Sequence, residues 1–316
     1  MSRITDEARR VIQEEATALE FLASNLPGNF EDAVEMIYMG HGRLIISGIG
    51  KSGLIGRKIA ATMASIGQKS FYLHPSEASH GDLGMIDSSD ILLLLSMSGE
   101  SLELLPVIDF AKRYGNRIIS ISQNTESSLS RNADISIILP DFKEACSIGF
   151  APTVSSTMTL AIGDAIAMSL IIKRGFTLEQ FKSLHPGGAI GAKLSFVRDV
   201  MRTEIPIVQI GTDMQRAILV MSEYGCGCVG IVDDSNRLSG IITDGDLRRH
   251  MSTGLLRLFV DDVMTLNPYC VDDSMLCTEA LHIMETRKIT SLFVMGMGPA
   301  PIGMIHIHDL IMMKIV

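Results

Sequence analysis

The chain has 316 residues, of which 47% are hydrophobic and 20% charged, a balance that excludes a lone mini-domain or a disordered chain and allows two domains. Its 27 basic and 36 acidic residues give a formal charge of -9, and with no basic block among them a nucleic-acid binder is disfavoured. The first residues mix both signs and lack the apolar core of a signal peptide, so a cytoplasmic protein that binds no membrane is expected.

Helical patterns over residues 4–23 and 30–39 are expected to cover a sheet or to pack against a partner subunit. Five short apolar runs follow, at 43–47, 69–73, 91–96, 117–122 and 135–139, separated by stretches of helical length such as 52–65 and 100–114. Runs that apolar suit strands buried on both faces, so the spacing predicts an α/β domain built on a doubly wound, five-stranded parallel sheet. Ligands of such sheets sit beyond the carboxyl ends of the strands, which directs attention to the loops after Ser47, Leu73 and Ser96.

Residues 159–172 form the longest apolar stretch, short of the ~20 residues a bilayer needs and interrupted by Asp164, and are expected to be a buried helix. The cysteines, Cys146, Cys226, Cys228, Cys270 and Cys277, are odd in number and scattered, as expected of reduced thiols. Twenty methionines and no tryptophan suggest an adaptable aliphatic interior and carry no chemistry of their own.

The last third repeats itself. Phe196-Val-Arg-Asp-Val-Met201 returns 63 residues later as Phe259-Val-Asp-Asp-Val-Met264, and on the same diagonal Gly240, Ile242, Asp246 and Leu247 match Gly303, Ile305, Asp309 and Leu310. This is a tandem duplication, each copy reading as an extended entry, a helix (214–224 in the first), two strands (228–233 and 237–243) and a helix opened by an aspartate. That aspartate suits a helix N-cap as well as a ligand contact.

Three polar loops lie at one edge of the predicted sheet. Gly48-Ile-Gly-Lys-Ser-Gly53 has the G-x-G-x-x-G form, but the second strand ends in His74-Pro-Ser-Glu where a dinucleotide site wants an acid, and no Walker A glycine precedes it; no cofactor is expected. Ser96-Met-Ser-Gly-Glu-Ser101 is expected to lead directly into a helix, and Thr153-Val-Ser-Ser-Thr157 to open another. Hydroxyls and unpaired amides at helix starts suit a single phosphate; each loop alone reads first as a cap, and several on one edge favour phosphate binding.

These loops resemble a sugar isomerase (SIS) domain, a phosphosugar-binding module, and the duplicated unit resembles a tandem CBS pair. With the segments 74–84, Lys143-Glu-Ala-Cys146 and Ser183-Leu-His-Pro-Gly-Gly188, nearly the whole chain resembles the D-arabinose 5-phosphate isomerase family. The resemblance implies an SIS domain over 1–190 (core about 33–176) followed by α+β CBS domains over 198–256 and 260–316. It implies an enzyme that interconverts D-ribulose 5-phosphate and D-arabinose 5-phosphate, feeds Kdo synthesis for lipopolysaccharide or capsule, and assembles as a homotetramer. Met97 departs from the polar residue often found in the phosphate loop of the family.

An aldose–ketose isomerase must move a proton between adjacent carbons and stabilise an enediolate, work suited to a carboxylate or imidazole with a cation nearby. Glu103, three residues after Glu100, is expected to share a helix face with it, and Glu144 lies beyond the fifth strand. By resemblance Lys51, Glu103, Glu144 and His185 match the catalytic set. Gly50, Ser52, His80, Ser96, Ser98, Gly99, Ser101, Thr153, Ser155 and Ser156 are the expected substrate and phosphate contacts. The CBS pair implies a nucleotide or sugar-nucleotide effector, with Asp246 or Asp309 on its ribose. No metal is expected, although His74, Glu77 and His80 make one conceivable. A non-catalytic phosphosugar and nucleotide sensor, or another SIS-domain phosphosugar enzyme, are the competing readings.

Overall fold

The computed structural model describes residues 2–185, 187, 191, 194–251 and 254–313, so Pro186 and Gly188 of the Ser183–Gly188 segment, the boundary drawn after Ile190 and the end of the chain at Val316 lie outside the described residues. The chain divides into two compact units, Met1–Leu184 and His185–Val316.

In the first unit, helices α1 (Arg3–Ser24) and α2 (Phe30–Met39) precede β1 (Leu44–Gly48), α3 (Gly50–Ser65), β2 (Ser70–Leu73) and the short α4 (Pro75–Ala78). Then come β3 (Ile91–Leu95), α5 (Leu105–Tyr114), β4 (Arg117–Ser122), α6 (Ser128–Asn132), β5 (Ile135–Ile138), α7 (Val154–Arg174) and α8 (Leu178–Leu184). The five strands form one parallel sheet in the order β2-β1-β3-β4-β5, the architecture expected. Every residue of β1 and β3 is buried, because alternate side chains serve two cores. Leu44, Ile46, Leu93 and Leu95 pack with residues of α1, α2, α3 and α7; Ile45, Leu92 and Leu94 pack with residues of α4 and α5 on the opposite face.

Two local expectations are corrected. The helix expected at 159–172 is α7, whose 21 residues make it long and apolar enough to cross a membrane. Its length therefore does not set it apart. What does is burial of Val154, Met158, Ile162, Ile166 and Leu170 in the sheet core, with Asp164 paired to Lys58 at 2.5 Å. The Ser96–Ser101 loop does not run straight into α5: a 3-10 turn, Leu102–Leu104, intervenes. Pro106, near the start of α5, is preorganised for a first helical turn and fixes where the α-helix begins.

The second unit carries the duplication. Copy one comprises α9 (Val197–Val200), β6 (Ile207–Gln209), α10 (Met214–Tyr224), β7 (Cys228–Val232), β8 (Leu238–Thr243) and α11 (Asp244–Arg249). Copy two comprises α12 (Val260–Val263), β9 (Thr265–Leu266), β10 (Cys270–Asp272), α13 (Cys277–Arg287), β11 (Ser291–Met295), β12 (Pro301–His306) and α14 (Ile307–Met312). The entries are exchanged: β9 of copy two pairs with β8 of copy one, Ile241 opposite Thr265, and Arg202 of copy one bridges Met304 in β12 of copy two.

Candidate active site

The first unit has a cavity of about 340 Å³ at the carboxyl edge of its sheet, walled by Lys51, Ser52, Ser96, Met97, Ser98, Ser101, Glu144, Ser155, Ser156 and Thr159 among others. Three features of the backbone build it. The turn from β1 into α3 places Lys51 and Ser52 in the first helical turn, where amides lack intrahelical partners. A Cβ on Gly53 would stand 2.5 Å from the Tyr72 hydroxyl and 2.6 Å from the Gly48 carbonyl, so only glycine admits this turn.

The second wall is the Ser96–Ser101 loop. Ser96 and Ser101 share a hydroxyl–hydroxyl bond of 2.9 Å, and the Gly99 amide donates to the Ser96 hydroxyl at 3.1 Å. Gly99 has φ of 72° and its Cβ position lies 2.0 Å from Ser127 Oγ, so glycine is required twice over. Gly99 itself is buried behind the loop, whereas Ser96, Ser98 and Ser101 line the cavity.

The third wall joins the segment after β5 to the start of α7. Glu144 Oε2 accepts from the Thr153 amide at 2.7 Å, the Thr153 hydroxyl at 3.1 Å and the Ser155 amide at 3.4 Å. Thr153 thus caps nothing with its own side chain and instead holds the carboxylate that faces the cavity. Burial pushes the Glu144 pKa up, but the hydrogen bonds from Ser155 and Thr153 outweigh it and hold the group below the usual carboxylate range. Glu144 is therefore ionised at neutral pH and able to accept a proton.

Of the expected site residues, the cavity gathers Lys51, Ser52, Ser96, Ser98, Ser101, Glu144, Ser155 and Ser156, with Thr153 directly behind. Gly50 borders a neighbouring cavity. Glu103 is exposed on the 3-10 turn and does not share a face with Glu100, which stands outside the helix and accepts from the Ser128 amide at 2.8 Å. His80 is exposed in the turn after α4, and neither Glu103 nor His80 lines the cavity. His185 is the first residue of the second unit. His74 caps α4, its Nδ1 accepting from the Ser76 amide at 3.3 Å, and no cluster of three metal-ligating side chains occurs among the described residues. Sequence reasoning missed Thr159, a buried cavity-lining hydroxyl that donates to the Ser155 carbonyl at 2.8 Å and lies 3.3 Å from Met97 Sδ. Its position in an apolar helix disguised it.

In the second unit a cavity of about 990 Å³ is walled by residues of both copies, including Thr243, Asp244, Arg248, Arg249, Lys288, His306 and His308. Asp246 and Asp309 are not on its wall. The N-cap of α11 is Thr243 rather than an aspartate: Asp246 sits three residues on and accepts from the Thr243 amide at 2.8 Å, while its own amide donates to the Thr243 hydroxyl at 3.3 Å. Asp246 also accepts from Thr265 and Arg249. Asp309 repeats the arrangement with His306 as cap and holds the Arg202 guanidinium at 2.6 Å.

The SIS domain family model matches residues 36–169, and the CBS domain model matches residues 197–253 and 260–314. The chain is 42% identical to the arabinose 5-phosphate isomerase KdsD of Pseudomonas aeruginosa over 309 residues, covering 96% of this chain and 95% of that one. It is 44% identical to the KdsD of Yersinia pestis over 308 residues, covering 96% and 94%. Among solved structures, a protein of Escherichia coli CFT073 in complex with arabinose 5-phosphate is similar over 59% of this chain and all of its own length, at 37% identity and a TM-score of 0.57. With the sheet, the loops and the duplicated unit all matched along its length, this chain belongs to the arabinose 5-phosphate isomerase family, built from an SIS domain and a tandem CBS pair.

Proposed function

We propose that the first unit interconverts D-arabinose 5-phosphate and D-ribulose 5-phosphate through an enediolate. The observation that carries this reading is the sharing of one cavity by the ionised Glu144 carboxylate, the Lys51 ammonium and the hydroxyl loop at Ser96–Ser101. The names of the relatives and the sugar phosphate bound in the E. coli structure support it.

The phosphate is held by Ser98, Ser101 and the first-turn amides of α3, a neutral cradle that suits an anion. Once the ring is open, Glu144 takes the proton from C2 of the aldehyde; the C–H electrons form the C1–C2 double bond and the carbonyl electrons move onto O1. Lys51 stabilises that developing charge. Return of the proton to C1, with transfer of the O2 proton to O1, gives the ketose. His185 assists ring opening and Glu103 serves as a second acid or base. Glu103 does not line the first unit's cavity and His185 belongs to the second unit, so both roles rest on the family resemblance. We further propose that the enzyme works in the cytoplasm as a homotetramer, supplies Kdo synthesis, and receives an effector at the CBS pair.

The test is proton NMR of the full-length protein with D-arabinose 5-phosphate in D₂O. Ribulose 5-phosphate formation with deuterium uptake at its C1 is expected. Saturable binding without turnover would overturn the isomerase reading in favour of a sensor.

A further inference from the structure

A second cavity in the first unit, of about 420 Å³, adjoins the one described and shares Lys51 with it. Its other polar walls are Arg57, Tyr72 and His74. Their chemistry is one-sided. The Tyr72 hydroxyl donates to the Gly48 carbonyl at 2.6 Å and is thereby committed. The Arg57 guanidinium stacks 4.6 Å from the Tyr72 ring centre and forms no ion pair among the described residues. His74 Nδ1 accepts from the Ser76 amide, so in the neutral ring the proton is on Nε2, and that nitrogen is a donor in either charge state. Among the described residues, no carboxylate lines the space.

An ammonium, a guanidinium and an imidazole N–H around a cavity without a carboxylate, on a chain of net charge -9, form a wall of donors awaiting an acceptor. Arg57 is held in place by its stacking partner, so less side-chain freedom is lost when an anion binds. We propose that this cavity is a second anion site, distinct from the Ser96–Ser101 loop, that takes a phosphate group. Because Lys51 borders both cavities, an anion here draws the ammonium away from the reacting carbons. The second site is therefore inhibitory, a consequence that rests on the isomerase reading, whereas the binding itself does not.

The probe is inorganic phosphate, titrated calorimetrically into the full-length protein saturated with D-arabinitol 5-phosphate, which lacks a carbonyl and cannot isomerise. One further phosphate per chain is expected. It should be weakened at least about tenfold in Arg57→Gln, which removes a charged hydrogen-bond donor, and restored in Arg57→Lys. Phosphate should lower kcat in the unsubstituted enzyme but only raise KM in Arg57→Gln. No phosphate uptake beside the alditol phosphate, or equal uptake in Arg57→Gln, would overturn the proposal. Should the alditol phosphate not bind, the sugar-site reading fails separately, and the loss of one phosphate per chain between the unsubstituted protein and Arg57→Gln still decides the second site.

Discussion

Thr153 grips Glu144 twice, its amide and its hydroxyl donating to the same carboxylate oxygen at 2.7 and 3.1 Å. Together with Ser155, this residue at the head of α7 therefore sets the basicity of the group proposed to move the proton. Because the folded pKa of Glu144 is depressed, its base form persists as pH falls through the ordinary range near 4.5. By the same linkage its ionisation stabilises the fold above the unfolded pKa, and that contribution is lost as pH falls through the folded value. Thr153→Val deletes one donor and keeps the amide. The acidic limb of the kcat/KM profile is expected to move to higher pH, and an unmoved limb would separate Glu144 from the essential base.

Replacing the carboxylate itself should be harsher. Glu144→Gln keeps an acceptor for the Thr153 amide but cannot take a proton, so kcat should fall by about 10²–10⁴, the usual worth of a positioned base. Deuterium uptake at C1 of the ketose should fall in parallel. Retention of exchange would assign the proton to another residue.

Gly99→Ala places a methyl 2.0 Å from Ser127 Oγ at a backbone φ of 72°. A loss of about 1–3 kcal/mol is expected from denaturant melts, with a rise in KM as the Ser96–Ser101 loop shifts. An unchanged KM would mean that this loop does not hold the substrate.

Ser47, near the end of β1, is fully buried and its hydroxyl has no hydrogen-bond partner among the described residues. Removing an unsatisfied buried polar group recovers its desolvation cost, so Ser47→Ala should raise stability by about 1 kcal/mol and raise Tm. A lower Tm would show that the hydroxyl is satisfied in solution.

In the second unit, Asp246→Ala should cost about 1–3 kcal/mol, because the buried carboxylate serves Thr243, Arg249 and, from the other copy, Thr265. Asp309→Ala should cost less, since its side chain and that of Arg202 are 15% and 42% exposed. Urea titrations of the two variants give the comparison, and equal losses would contradict the ranking.

The strands were legible because a parallel strand buried on both faces must be apolar throughout: Ile91–Leu95 leaves little else to read. Turns set by a single proline were harder, and the α5 boundary at Leu105 was misjudged because Pro106 competes with the capping signals of Ser98 and Ser101. Asp246 was misread for a related reason, since a capping box divides its work between two residues and Thr243 holds the outer place. The segment from Pro140 to Pro152 has no periodicity, so the spacing alone says nothing of how Glu144 is oriented. Long-range bonds such as Tyr72 to Gly48 leave no trace in local sequence.

The exchanged entries of the duplicated unit have a genetic consequence. Strand β9 of copy two completes the sheet of copy one, Thr265 beside Ile241, and Arg202 of copy one forms a single bridge to Met304 of copy two. Cutting the gene between them would leave β8 of the first fragment as a bare strand edge, open to indiscriminate pairing. The smallest module that can be cut from the gene with its strand edges paired is therefore the pair rather than either copy.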